Sequence, residues 1–108
     1  ENTYIGKLGQ ELTLEQGQAA ARNAILNVLA VLDRDLGDLN RVKKFVKLLA
    51  FVSSASDFYQ QPQVVNPASE LLASIWGEEG GCAARSAIAV NALPGNIAIE
   101  IEALIELK

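Results

Sequence analysis

The stretch Arg85-Ser-Ala-Ile-Ala-Val-Asn-Ala-Leu-Pro-Gly-Asn-Ile-Ala-Ile-Glu-Ile-Glu-Ala-Leu-Ile-Glu-Leu107 decides the fold. From Ile97 onward it alternates: Ile97, Ile99, Ile101, Ala103, Ile105 and Leu107 share one face, and Glu100, Glu102 and Glu106 take the other. A period of two in β-branched residues predicts a strand with one buried and one polar face. Pro94-Gly95-Asn96 supplies the turn before it, because Pro presets φ and Gly accepts turn geometries. Upstream of that turn, Ser86–Asn91 reads as a shorter strand, paired with the last one or close to it in the same sheet. Arg85 then stands at the upstream mouth of the two strands, where a ligand is expected.

The sequence holds 108 residues, half of them hydrophobic and about a fifth charged, which suits a single globular domain over 1–108. No apolar run reaches the ~20 residues of a membrane span, and Glu1-Asn2-Thr3-Tyr4 lacks the basic start of a secretory signal. A cytoplasmic setting is expected. The formal charge is −4 with no histidine, which argues against nucleic acid as the main partner. Lys43, Lys44 and Lys47 are the one basic cluster, read as a solvated face. Cys82 stands alone beside Gly80-Gly81, so no intrachain disulfide and no thiolate metal cluster is encoded. Neither a metal nor a cofactor is expected.

Further upstream, Glu1–Leu12 reads as an irregular lead-in. Thr13-Leu14-Glu15-Gln16 has the form of a capping box opening a helix. That helix carries Ala20, Ala21, Ala24, Ile25, Val28, Leu29, Val31 and Leu32 as a buried stripe and stops at Gly37. Arg41–Ser53 reads as a strand, with Val42, Val46, Leu48, Ala50 and Val52 on one face and Phe45, Leu49 and Phe51 on the other beside Lys43 and Lys47. A helical stripe through Val42, Phe45, Val46 and Leu49 is the competing reading; the Val and Phe content favours the strand. A second helix ends near Trp76, with Gly77 as its terminal residue. Asn66-Pro67 looks like its N-cap and first position, although Phe58–Val65 could already be helical, with Pro67 as a kink. Glu78–Gly81 reads as a flexible link. Trp76 reads as a core or interface anchor. The fold class is therefore α+β, a sheet with both helices on one face. Three strands are thin cover for two such apolar helices. Either partner subunits bury the open face or further strands belong to the sheet.

Six stretches of the sequence carry a resemblance. Ala84-Arg85-Ser86-Ala87, Ala92-Leu93-Pro94 and Ile99-Glu100-Ile101-Glu102-Ala103 resemble the C-terminal signature of the Rid (YjgF-like) family. Gly6-Lys7-Leu8-Gly9, Glu15–Arg22 and Gln63-Val64-Val65-Asn66 are similar to its branch labelled endoribonuclease-like or translation initiation inhibitor-like. The resemblance implies a chorismate-mutase-like α+β fold, assembled as a homotrimer with ligand clefts between subunits. It also implies a further N-terminal portion, including strands, that nothing in this sequence matches. In hydrolytic deaminases of the family the signature arginine holds the carboxylate of an amino-acid-derived imine or enamine, and a glutamate on the last strand positions the attacking water. By position these are Arg85 and Glu100, and Asn66 matches a polar residue near the cleft. A guanidinium offers a planar fork suited to a carboxylate, and a carboxylate can orient and deprotonate water. One departure is Ala87, where deaminases often carry cysteine. The implied function is hydrolytic deamination of imine or enamine intermediates. Non-catalytic binding of small carboxylates is the first alternative, and an RNA-cleaving or translation-inhibiting role the second.

Overall fold

The computed structural model describes residues 4–108. Helix α1 (Leu14–Leu36) begins as its capping box dictates: Thr13 Oγ1 accepts from the Gln16 N–H at 3.2 Å, and Gln16 Oε1 accepts from the Thr13 N–H at 2.9 Å. It ends at Gly37, whose φ of 80° is left-handed and whose N–H donates to the Asp33 carbonyl. The buried stripe runs through Gly17, Ala20, Ala21, Ile25 and Leu29. Val31, assigned to that stripe from its spacing, is 45% exposed. At Gly17 the helix comes so close to Leu8 that a Cβ would collide with its Cδ1, so the lead-in segment is packed against the first turns.

Strand β1 (Val42–Ser53) lies at the centre of a three-stranded sheet. It pairs in parallel with β2 (Ala84–Val90) and antiparallel with β3 (Ile99–Leu107). The last two strands are thus members of one sheet but not partners, because β1 separates them. Two register irregularities, between Val42 and Lys44 and between Phe45 and Lys47, each turn the strand. Consequently Phe45 is buried with Val42, Leu48, Ala50 and Val52, while Val46 is exposed. Strict alternation along the sequence places these two residues the other way round. The same bulges explain why the strand also resembles a helical stripe: its inward residues are spaced by three before they are spaced by two.

Helix α2 (Gln61–Gly81) starts well before Asn66, so Asn66 is no N-cap and Pro67 lies inside the helix. Pro67 has no N–H for the carbonyl four residues back, and its ring pushes that carbonyl aside. The carbonyl is that of Gln63, and Gln18 of α1 donates to it through Nε2 at 2.9 Å. At Gly77 (φ 75°, ψ −173°) the helical path breaks, as its position suggested, but a further turn through Gly81 follows in place of a loose link. Trp76 is half-buried, its ring 5.1 Å from that of Phe45 and tilted by 59°, which makes it a core anchor.

Both helices cover the same face of the sheet, α1 over β3 and α2 over β1 and β2. Ile25, Leu48, Val52, Val64, Val65 and Leu72 are fully buried between the layers, each contributing about 1.5–3 kcal/mol of burial. The lead-in closes one end: Leu8 donates to the Ser53 carbonyl, its own carbonyl accepts from Ala55, and Gly6 donates to Asn96. On the other face of the sheet Ile88 and Leu104 are 43% and 62% exposed. Among the described residues no helix is long and apolar enough to cross a membrane.

Candidate functional site

Arg85 is the second residue of β2, an edge strand, and pairs with the buried Leu48. Partners in a parallel ladder point to the same side, so Arg85 faces the helical layer. There α2 meets it. Nη1 donates to Asn66 Oδ1 at 2.9 Å and to Ser69 Oγ at 3.2 Å. Asn66 and Ser69 lie one helical turn apart and share a face. A guanidinium has no acceptor, which fixes the Asn66 amide with its oxygen toward Arg85.

Arg85 as a residue is partly buried, yet no carboxylate among the described residues neutralises it. The ion pairs among those residues are elsewhere, Arg34–Asp35 at 3.0 Å and Lys43–Glu106 at 3.7 Å. Nor does Nε or Nη2 of Arg85 have a protein acceptor among the described residues. A cation held by neutral oxygens, with two of its nitrogens unengaged, is suited to an anion.

Glu100 is not part of this cluster. It lies on β3, the other edge of the sheet, pairs with Phe51 of β1, and projects from the face away from the helices. Arg85 and Glu100 therefore sit on opposite edges and opposite faces of one chain, whereas Arg85 and Asn66 come together as the resemblance implied. Ser69 does not stand out in the sequence. The lysine cluster is dispersed: Lys43 pairs with Glu106, and Lys47 Nζ donates to Ser86 Oγ at 2.9 Å. Cys82 is exposed. The clefts lined by Tyr4, Asn23 and Ile97, by Ser54, Gln61 and Asn91, and by Val28, Leu32 and Ile105 do not include Arg85.

Residues 1–107 match the family model described as "YjgF/chorismate_mutase-like, putative endoribonuclease". The chain belongs to the YjgF/chorismate mutase-like family. Protein TCP17 of Trypanosoma cruzi is 49% identical to this YjgF-like chain over 103 residues, covering 95% of the chain and 64% of TCP17. The crystal structure of Atu1372 from Agrobacterium tumefaciens, a protein of unknown function, superposes with a TM-score of 0.91 at 36% identity, over 95% of this chain and 66% of that one. A "putative endoribonuclease" from Shewanella oneidensis gives the same TM-score at 32% identity, over 96% and 68%. The chain thus spans just under two thirds of TCP17 and of Atu1372. The YjgF-like fold, two helices on a mixed three-stranded sheet, is the architecture expected from the C-terminal signature.

Proposed function

We propose that this YjgF-like chain binds a small carboxylate-bearing metabolite at Arg85 and, as a homotrimer, hydrolyses an imine or enamine derived from an amino acid. The observation that carries the reading is the Arg85 guanidinium, held by Asn66 and Ser69 and lacking an acidic partner among the described residues. A ligand carboxylate supplies the missing countercharge, and such charge-assisted pairs contribute about 1.5–3 kcal/mol. Water activation is the part of Glu100. Because Glu100 leaves from the opposite face and edge of its own chain, it reaches an Arg85 site only from a neighbouring copy. The exposed apolar residues of the open sheet face, Ile88 and Leu104 among them, favour such an assembly. An RNA-cleaving role has less support, since there is no histidine for proton transfer and the lysines form no continuous basic patch.

Subunit complementation tests this. The protein is assayed for ammonia release from enzymatically generated 2-aminoacrylate. Arg85→Ala and Glu100→Gln are each expected to lose turnover, with carboxylate affinity falling roughly ten- to hundredfold in Arg85→Ala only. Mixed oligomers of the two variants are expected to regain part of the activity, because some clefts then combine an intact Arg85 with an intact Glu100. Carboxylate binding without ammonia release from the unmodified protein would leave the binder reading in place of the deaminase. Unchanged binding in Arg85→Ala would remove both.

A further inference from the structure

The two bonds that hold Arg85 come from one nitrogen. Nη1, the nitrogen on the Cδ side of the guanidinium, carries two hydrogens, and Asn66 Oδ1 and Ser69 Oγ accept both. The remaining donors are Nε–H and the two hydrogens of Nη2, for which the described residues provide no acceptor. Nε–H and the adjacent Nη2–H run parallel, in the plane of the guanidinium, and form the fork that takes both oxygens of a carboxylate. The helix therefore occupies one side of the cation and leaves the bidentate side outward.

Two acceptors at different positions on α2 do more than one could. A single bond to Nη1 would let the plane swing about that contact. With Asn66 and Ser69 one turn apart, the plane is set by two points on a rigid element. An arginine side chain gives up about 2 kcal/mol of rotamer freedom when fixed, and fixing it before the ligand arrives moves that cost from binding to folding. The register of α2 is in turn set nearby, where Gln18 meets the Gln63 carbonyl released by Pro67.

We propose that Ser69, acting with Asn66, is a positioning residue that orients the Arg85 guanidinium so that a free carboxylate is bound side-on by Nε and Nη2. This rests on the reading of Arg85 as a carboxylate site and adds its selectivity. A ligand must present two equivalent oxygens in the guanidinium plane, so 2-oxo and 2-imino acids bind and the corresponding amides do not.

The test uses the full chain, 15N-labelled and titrated with pyruvate, with pyruvamide as the uncharged control, while the Arg85 Nε–H resonance is followed by NMR. The unmodified protein is expected to show a pyruvate-dependent shift of that resonance and none with pyruvamide. Ser69→Ala is expected to bind pyruvate about tenfold more weakly, with its thermal midpoint near that of the parent. Ser69→Thr, which keeps the acceptor, is expected to restore affinity. Arg85→Lys retains charge but not the fork and is expected to lose the distinction between tight and weak variants at position 69. If pyruvate binds, Arg85→Ala weakens it and Ser69→Ala binds as well as the parent, the positioning role is wrong while the carboxylate site stands. A Ser69→Ala variant whose weaker binding merely tracks lost stability likewise overturns the positioning role alone. If pyruvate does not bind, or binds Arg85→Ala equally, the carboxylate site itself fails and the role of Ser69 with it.

Discussion

The two helices of this chain are specified in different ways. Helix α1 carries its own instructions: a reciprocal capping box at Thr13 and Gln16, a stripe of apolar residues at helical spacing, and Gly37 at the far end. Helix α2 has the inward stripe, Val64, Val65, Ala68 and Leu72, but neither its start nor its path is so marked. Its N-cap, Gln60, makes no side-chain cap bond, Pro67 lies in its interior, and Gly77 breaks its path. What α1 obtains locally, α2 obtains from the rest of the molecule. Gln61 is buried and bonds the Phe58 carbonyl at 2.7 Å and Ser54 Oγ at 3.3 Å. Gln18 occupies the carbonyl that Pro67 frees, and Arg85 ties Asn66 and Ser69 to the edge strand. The helix with the weaker intrinsic claim to its conformation is the one that carries the candidate site, so the site's geometry is a tertiary property.

The contrast breaks most sharply at Pro67. Replacing it with Ala restores the missing amide and is expected to stabilise the protein by roughly 1–3 kcal/mol in urea denaturation, the proline penalty less what the fold already recovers. Gln18→Ala is expected to cost about 1 kcal/mol in the parent chain and close to nothing in the Pro67→Ala background, where the helix satisfies Gln63 itself. A double-mutant cycle reads that difference directly; additive effects would show that Gln18 does not substitute for the absent amide. On the other helix, Thr13→Ala removes a purely local cap and is expected to cost about 1 kcal/mol, without changing ligand binding at Arg85. A loss of binding from this variant would mean that the two helices are not as independently specified as the contrast holds.

The smallest effect concerns the lead-in ahead of α1. Lys7 donates its backbone N–H to Glu11 Oε1 at 2.8 Å, and Gln10 donates to Oε2. These bonds, the first above all, hold the Glu11 carboxyl below its ordinary value of 4.5. The sign follows from the direction of the shift. The unfolded chain binds the proton more readily, so the contribution is complete above the ordinary value and disappears as pH falls through the lower folded value. Amide protection in the Lys7–Leu12 turn, taken relative to the intrinsic exchange rate at each pH, is therefore expected to fall below pH 4.5, and Glu11→Gln to remove that pH dependence.

What was legible in the sequence divides along the same line. Local signals located α1 and its two ends, the turn at Pro94–Asn96, and β3 with its inward isoleucines. Misplaced features were those decided at a distance. Asn66-Pro67 has the local chemistry of a helix start, the sequence leaves a helical Phe58–Val65 open beside it, and the fold takes the second reading. Phe45 and Val46 exchange faces because a bulge is a property of paired strands, and β1 gives no sign of it alone. At the site, Arg85 and Asn66 were recognised through their place in a family signature. Ser69 is an ordinary helix serine until β2 is laid beside α2 and brings Arg85 to it. The separation of Glu100 from Arg85 needs the strand order β2-β1-β3, which places a strand between two segments that are neighbours in sequence.

Pro67 and Gln18 also make an expectation about descent. A side-chain amide at position 18 has a task only while position 67 lacks a backbone hydrogen, so substitutions at these two distant places should be inherited together. In lineages where the imino acid has been replaced, position 18 becomes free to vary as an ordinary solvent-facing site.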